Sequence, residues 1–97
     1  MNNDIHIQIK ETGNSGHAFL GEEDAPLAEM SYSKAGKTMI IIDHTEVGEA
    51  VRGQGVGRKL LDAVVVMARE KNLKVLPLCP YARSVFDKDA TIRDVLK

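Results

Sequence analysis

Residues 52–57 read Arg-Gly-Gln-Gly-Val-Gly, and a stretch with apolar side chains at helical spacing follows at once. Glycines at 53, 55 and 57 let the backbone approach a ligand closely. A helix that starts there turns its unpaired first-turn N–H groups back toward the loop. Such a turn suits an anion, most often phosphate. Arg52, Arg58 and Lys59 add positive charge. A dinucleotide fingerprint would need glycine where Arg58 stands, and a P-loop would need a Lys-Ser or Lys-Thr pair after the glycines. What remains is Arg52-x-x-Gly55-x-Gly57, a spacing that predicts a phosphate-bearing cofactor.

Other reactive side chains lie on both sides of this loop. His44, Glu46 and Glu49 precede it, and Cys79, Tyr81, Arg83 and Ser84 follow. His44 or Glu46 is placed to take a proton from an attacking group, directly or through water. Alternation along the strand sets both on one face with Ile40 and Ile42. Cys79 is the single cysteine. It is either an acyl-accepting or acid/base thiol, or a small buried hydrophobe. The three histidines have no metal-ligand spacing and one cysteine makes no zinc cluster, so no metal is expected.

The elements that must position these groups are legible from periodicity. Ile5, Ile7 and Ile9 alternate with polar residues, as a half-buried strand does. Glu11–Gly16 is a turn cluster, His17–Glu22 a second strand, and Glu23-Asp24-Ala25-Pro26 a break. Leu27–Lys34 alternates again, and Ala35-Gly36-Lys37 makes a hairpin turn. Thr38–Val47 is the fourth strand. Its continuous apolar run Met39–Ile42 predicts burial on both faces. The period then becomes helical from about Gly57 to Lys71, with Asn72 as the residue that ends the helix. Lys74–Cys79 is a fifth strand, bent or unpaired at Pro77. Pro80 opens a short helix over Tyr81–Lys88, and a last helix covers Thr91–Lys97. A helix crossover makes the fourth and fifth strands parallel neighbours, with the glycine loop at the C-terminal end of the fourth.

Three segments together resemble a known family: His44-Thr45-Glu46-Val47, Arg52–Gly57, and Pro77-Leu78-Cys79-Pro80-Tyr81-Ala82. They are similar to those of the GNAT superfamily of N-acetyltransferases, in a minimal single-domain subfamily with a Cys-Pro-Tyr-Ala box, and the resemblance covers nearly the whole chain. It implies a truncated GNAT fold: an α/β (α+β) arrangement with a mixed, mostly antiparallel sheet, one long helix and short C-terminal helices. It implies acetyl-coenzyme A as cofactor, its pantetheine arm paired with Thr45, Glu46 and Val47 in a gap where the fourth and fifth strands splay. Its pyrophosphate would lie on the amides of Gly53, Gln54, Gly55, Val56, Gly57 and Arg58. Cys79 and Tyr81 would lie near the thioester, and Arg83 and Ser84 near the phosphate or adenosine end. Two departures stand out. The family's two helices after the first strand are absent, which leaves the acceptor side open or to be completed by another molecule. Phe86 stands where the family often has an acidic tyrosine, with Tyr81 as the candidate replacement.

Composition sets the outer bounds. The chain has 97 residues, 43% hydrophobic and 28% charged, as one ordinary globular domain has. The net charge of −1 gives no footprint for nucleic acid. The N-terminus has no signal-peptide pattern, no apolar run is long enough for a bilayer, and the lone cysteine fits a reducing compartment. A cytoplasmic protein is expected, of unknown oligomeric state. Two readings stay open. One is an acetyl-CoA-dependent N-acetyltransferase acting on an unknown amine, a protein amine among the candidates, directly or through Cys79. The other is a non-catalytic coenzyme A-binding module that acts with a partner protein.

Overall fold

The computed structural model describes residues 5–97. Five strands, β1 (Ile7–Thr12), β2 (Ser15–Glu22), β3 (Ala25–Ala35), β4 (Met39–Val47) and β5 (Lys74–Pro77), form one sheet in chain order. The first three pairings are antiparallel and β4 with β5 is parallel, as the crossover requires. Between these two strands lie a 3₁₀ turn (Glu49–Val51) and helix α1 (Val56–Lys71). Helix α2 (Pro80–Lys88) and a 3₁₀ segment (Ala90–Val95) complete the described chain. No described helix is long and apolar enough to cross a membrane.

All the helices pack on one side. Val56, Leu60, Leu61, Val64, Val65, Met67 and Ala68 of α1 are buried against Met30, Tyr32, Ile40, Ile42 and Val75 of the sheet. Each large apolar side chain so buried contributes about 1.5–3 kcal/mol. Ala82 and Phe86 of α2, with Ile92 and Val95, enter the same cluster. Among the described residues no helix covers the opposite face. The run Met39–Ile42 is therefore fully buried only at Ile40 and Ile42. Met39 and Ile41 face the bare side and stay partly exposed, contrary to the two-sided burial its composition predicts.

The strand boundaries differ from expectation where pairing overrides turn composition. Glu11 and Thr12 pair with Gly16 and Ser15, so the first turn is only Gly13-Asn14. Pro26 lies inside β3 opposite Gly21, at a register shift that leaves Leu27 extra; such a bulge tolerates a residue with no ladder donor. α1 ends at Asn72, whose backbone is left-handed (φ 59°) and whose N–H closes on Ala68 O and Arg69 O. The expected last helix is instead the 3₁₀ segment, started by the Asp89 side chain accepting from Thr91 N–H. Beyond it Leu96 lies alongside Val75, and Lys97 N–H donates to Val75 O at 2.9 Å.

Two irregularities in β4 and β5 shape everything that follows. β5 ends at Pro77 rather than Cys79, because the chain turns away into α2. The Leu78 and Cys79 N–H groups both donate to Ile42 O at 3.1 Å. β4 runs on to Val47 without β5 beside it. In β4 itself, Ser31 pairs with His44 but Tyr32 pairs with Ile42, so Asp43 is a bulge. A bulge shifts alternation by one residue. Thr45 and Val47 therefore follow Ile40 and Ile42 on the helix-bearing face. His44 and Glu46, expected on that face, project from the bare one.

Candidate functional site

The loop after β4 is built to present amides. Gly48 N–H donates to Leu27 O at 2.8 Å, which ties the end of β4 to β3. Arg52 reaches back and donates from Nη2 to Val47 O at 3.2 Å, closing the 3₁₀ turn on itself. Gly53 and Gly55 have φ of 83° and 75°, the left-handed region that glycine takes without strain. A Cβ at either would meet no atom within 4 Å, so both face open space. Gly55 is the N-cap of α1 and has no side chain to satisfy the first turn. Among the described residues, no protein acceptor faces the amide N–H groups from Gly53 to Arg58. No acidic side chain occupies that first turn. Unpaired amides at the positive end of a helix make a fitting cradle for a phosphate diester.

The charged side chains of the loop divide into engaged and free. Arg58, expected as a phosphate cation, is held by two carboxylates. Its Nε meets Asp62 at 2.8 Å and its Nη2 meets Asp89 at 2.5 Å. Much of its charge is thus spent on joining α1 to the end of α2. Lys59 beside it is exposed. Asp89 is held at about 2 by the Thr91 hydroxyl, the Arg58 guanidinium and the Thr91 N–H. Its folded value lies below the ordinary carboxylate value, so its stabilisation is complete above about pH 4 and is lost as pH falls toward 2. Acidification from pH 5 to 2 should lower the melting temperature, and Asp89→Asn should flatten that slope. An unchanged slope would show that this junction does not contribute.

Tyr81 packs its ring over the first turn of α1. A Cβ at Gly57 would sit 3.0 Å from its Cζ and 3.1 Å from its hydroxyl oxygen. Close approach, not a special backbone angle, is why residue 57 is glycine. Burial pushes the Tyr81 hydroxyl above its ordinary value, so it keeps its proton at neutral pH. Tyr81, Arg58, Ser84, Val85, Lys88 and Asp89 line an open cleft of ≈ 440 Å³. Ser84 donates its hydroxyl to Tyr81 O at 2.7 Å, and Arg83 is exposed. Nothing in the spacing of Lys88 marks it in the sequence; only the fold brings it to this cleft.

Cys79 lies at the opening of the gap and is only 4% exposed. Its Sγ is 3.0 Å from Thr45 Oγ1, a thiol–hydroxyl hydrogen bond across the point where β4 and β5 part. Phe86 is buried in the core and has no access to the gap. His44 and Glu46 stand 3.9 Å apart on the bare face, with side chains 72% and 76% exposed. The structure thus gathers Thr45, Val47, Cys79 and the glycine loop at one end of the sheet, with Tyr81 over the loop. It sets His44 and Glu46 on the other side of β4.

A mixed sheet splayed at its fourth strand, with an amide cradle between that strand and the following helix, defines a fold seen in acyl-transfer proteins. The model of the GCN5-related N-acetyltransferases matches residues 17–95, and the chain belongs to that family. It is similar to a GCN5-like protein from Staphylococcus aureus solved by NMR. That likeness has 41% identity and a TM-score of 0.73, over 93% of this chain and 87% of that one. A GNAT family acetyltransferase from Elizabethkingia anophelis, solved with acetyl-CoA bound, shares the fold at 13% identity. Its TM-score is 0.66 over 90% of this chain and 74% of that one. Protein NATD1 from Gallus gallus and Mus musculus is 35% identical over 54 residues, 56% of this chain and 49% of theirs. The match spans about half the length of those curated relatives.

Proposed function

We propose that this protein is an acetyl-coenzyme A-dependent N-acetyltransferase. The observation that carries this reading is the unpaired amide run Gly53–Arg58, continuous with the stretch of β4 from Asp43 to Val47 that has β3 on one side and no strand on the other. The amides from Gly53 to Arg58 would hold the pyrophosphate, and Lys59 and Arg52 would add charge at its edge. The free edge of Thr45–Val47 would pair with the amide groups of the pantetheine arm, as an added strand does. Tyr81, Arg83 and Ser84 would lie along the nucleotide end. When bound, acetyl-coenzyme A supplies an activated acetyl thioester.

Val56 of α1 and Ala82 of α2 are buried beside Cys79 on the helix-bearing side, so in this reading the amine arrives from the bare face. His44 and Glu46 project there, and either would accept a proton from the attacking nitrogen. A backbone N–H near Val47 would polarise the carbonyl under attack. The Cys79 thiol would either give its proton to the departing coenzyme A thiolate, or attack the thioester itself, taking the acetyl group as the C–S bond to coenzyme A breaks and that thiolate gains the proton. The lone cysteine, otherwise free, suits a reducing compartment, and we place the protein in the cytoplasm.

The test is calorimetry with coenzyme A together with intact-protein mass after mixing with acetyl-coenzyme A and a panel of amines. Binding with turnover supports the enzyme. One acetyl group retained on Cys79 would select the two-step route. Binding without turnover on any amine would leave a coenzyme A-binding module, the reading that the buried Phe86 and nearly inaccessible Cys79 favour. Absence of binding would overturn the assignment. Coenzyme A should also slow alkylation of Cys79, and equal rates would place the thiol away from the cofactor.

A further inference from the structure

The bare face of the sheet, which the acetyltransferase reading makes the landing side for an acceptor, carries a specific pattern. Glu29 on β3 stands directly opposite Glu46 on β4, and like charges so placed oppose pairing. Asp43 projects from the bulge beside them and accepts from Ser33 Oγ at 2.6 Å. No lysine or arginine projects from this face of β3 or β4. Glu29 meets His17, while the nearest partner of Glu46 is His44 at 3.9 Å. On each side of these carboxylates lies an exposed leucine. Leu27, extruded by the β3 bulge, is 45% exposed, and Leu78, just past β5, is 58% exposed.

We propose that this face binds an extended protein segment that presents a lysine between two apolar side chains. The proposal rests on the acetyltransferase reading and names the acceptor class. The carboxylates call for a cation. A small polyamine would satisfy them but would leave both leucines uncovered. The shallow cleft between Leu27, Glu29, Glu46 and Gly48, ≈ 260 Å³ and open, would not enclose it. Leu27 lies level with Gly48 and Leu78 just past Ile42, on the two neighbours of β4, so two strand spacings across and about four residues along separate them by about 16 Å. That is the reach of about five residues of extended chain, with the lysine in the middle over Glu46 and His44.

The experiment is a ¹H–¹⁵N titration of the cofactor-free protein with the peptide Gly-Leu-Ser-Lys-Ser-Leu-Gly. The controls are the same peptide with acetyl-lysine, the peptide with serine for both leucines, and spermidine. Amides of Leu27, Glu29, Asp43–Glu46 and Leu78 should shift. The acetyl-lysine peptide should bind about tenfold more weakly, and spermidine and the double-serine peptide, which lack both apolar contacts, about a hundredfold more weakly. Leu27→Ser and Leu78→Ser, both exposed positions, should each weaken the parent peptide about tenfold. Spermidine binding as tightly as the peptide, no dependence on the leucines, or shifts confined to other faces would overturn the proposal. Because no cofactor is present, loss of coenzyme A binding would sink the parent reading without altering this result.

Discussion

Calorimetry of Gly55→Asp with coenzyme A should show affinity reduced at least about a hundredfold, with the fold retained. Residue 55 is the N-cap of α1 with φ 75°, and a Cβ there points into open space. The new carboxylate would therefore stand where the phosphates must lie. Two like charges 4 Å apart repel by about 4 kcal/mol near a protein surface, so a loss of about 2.7 kcal/mol, a hundredfold, is a conservative expectation. Gly55→Asn separates charge from shape. Asparagine tolerates the left-handed region at least as well as aspartate does, so the affinity of that variant for coenzyme A should fall much less. Equal losses for both variants would mean that geometry alone governs the cradle. Undiminished binding in Gly55→Asp would remove the phosphates from this loop.

Gly48→Ala should produce the largest loss of stability from a single methyl group outside the core. The Gly48 Cβ would lie 2.7 Å from Leu27 O, a backbone atom that also accepts the Gly48 N–H. Neither partner is a flexible side chain, so β3 and β4 must separate at their joined ends. Overpacking of this kind costs about 1–3 kcal/mol. In a domain of this size each kcal/mol moves the melting temperature by about 4–8 °C. A fall of about 10 °C or more is expected, with weaker coenzyme A binding because Gly48 joins the free edge of β4 to the loop. Glu49→Ala, at the exposed neighbour, should melt within a few degrees of the parent. If Gly48→Ala melted with it, the β3–β4 clamp would have no energetic role.

These two glycines differ in how far the sequence announces them. Gly55 belongs to a spacing that could be read directly, because three glycines before a helical period restrict the backbone to a turn that offers amides. Gly48 carries no such mark. Its necessity comes from a carbonyl of residue 27, brought against it by the pairing of β3 with β4. The same contrast holds across the chain. The helix Val56–Lys71, its end at Asn72, the parallel β4–β5 neighbours and the position of the glycine loop all follow from local periodicity and turn chemistry. The family resemblance rests on the same local motifs.

What tertiary structure alone decided is which way side chains point and which charges are already spent. Alternation assigned His44 and Glu46 to the face of Ile40 and Ile42. The bulge at Asp43, visible only in the register against β3, turns them to the other face. By its sequence position Arg58 is a free cation at the loop, but Asp89, far along the chain, holds it in the folded structure. Cys79 was equally readable as a reactive thiol or a buried one. The structure buries it against Thr45, at the place where Pro77 ends β5 and the gap begins. Local sequence fixes backbone preference within a few residues, whereas strand register and long-range ion pairs depend on partners that the chain supplies only after it has folded.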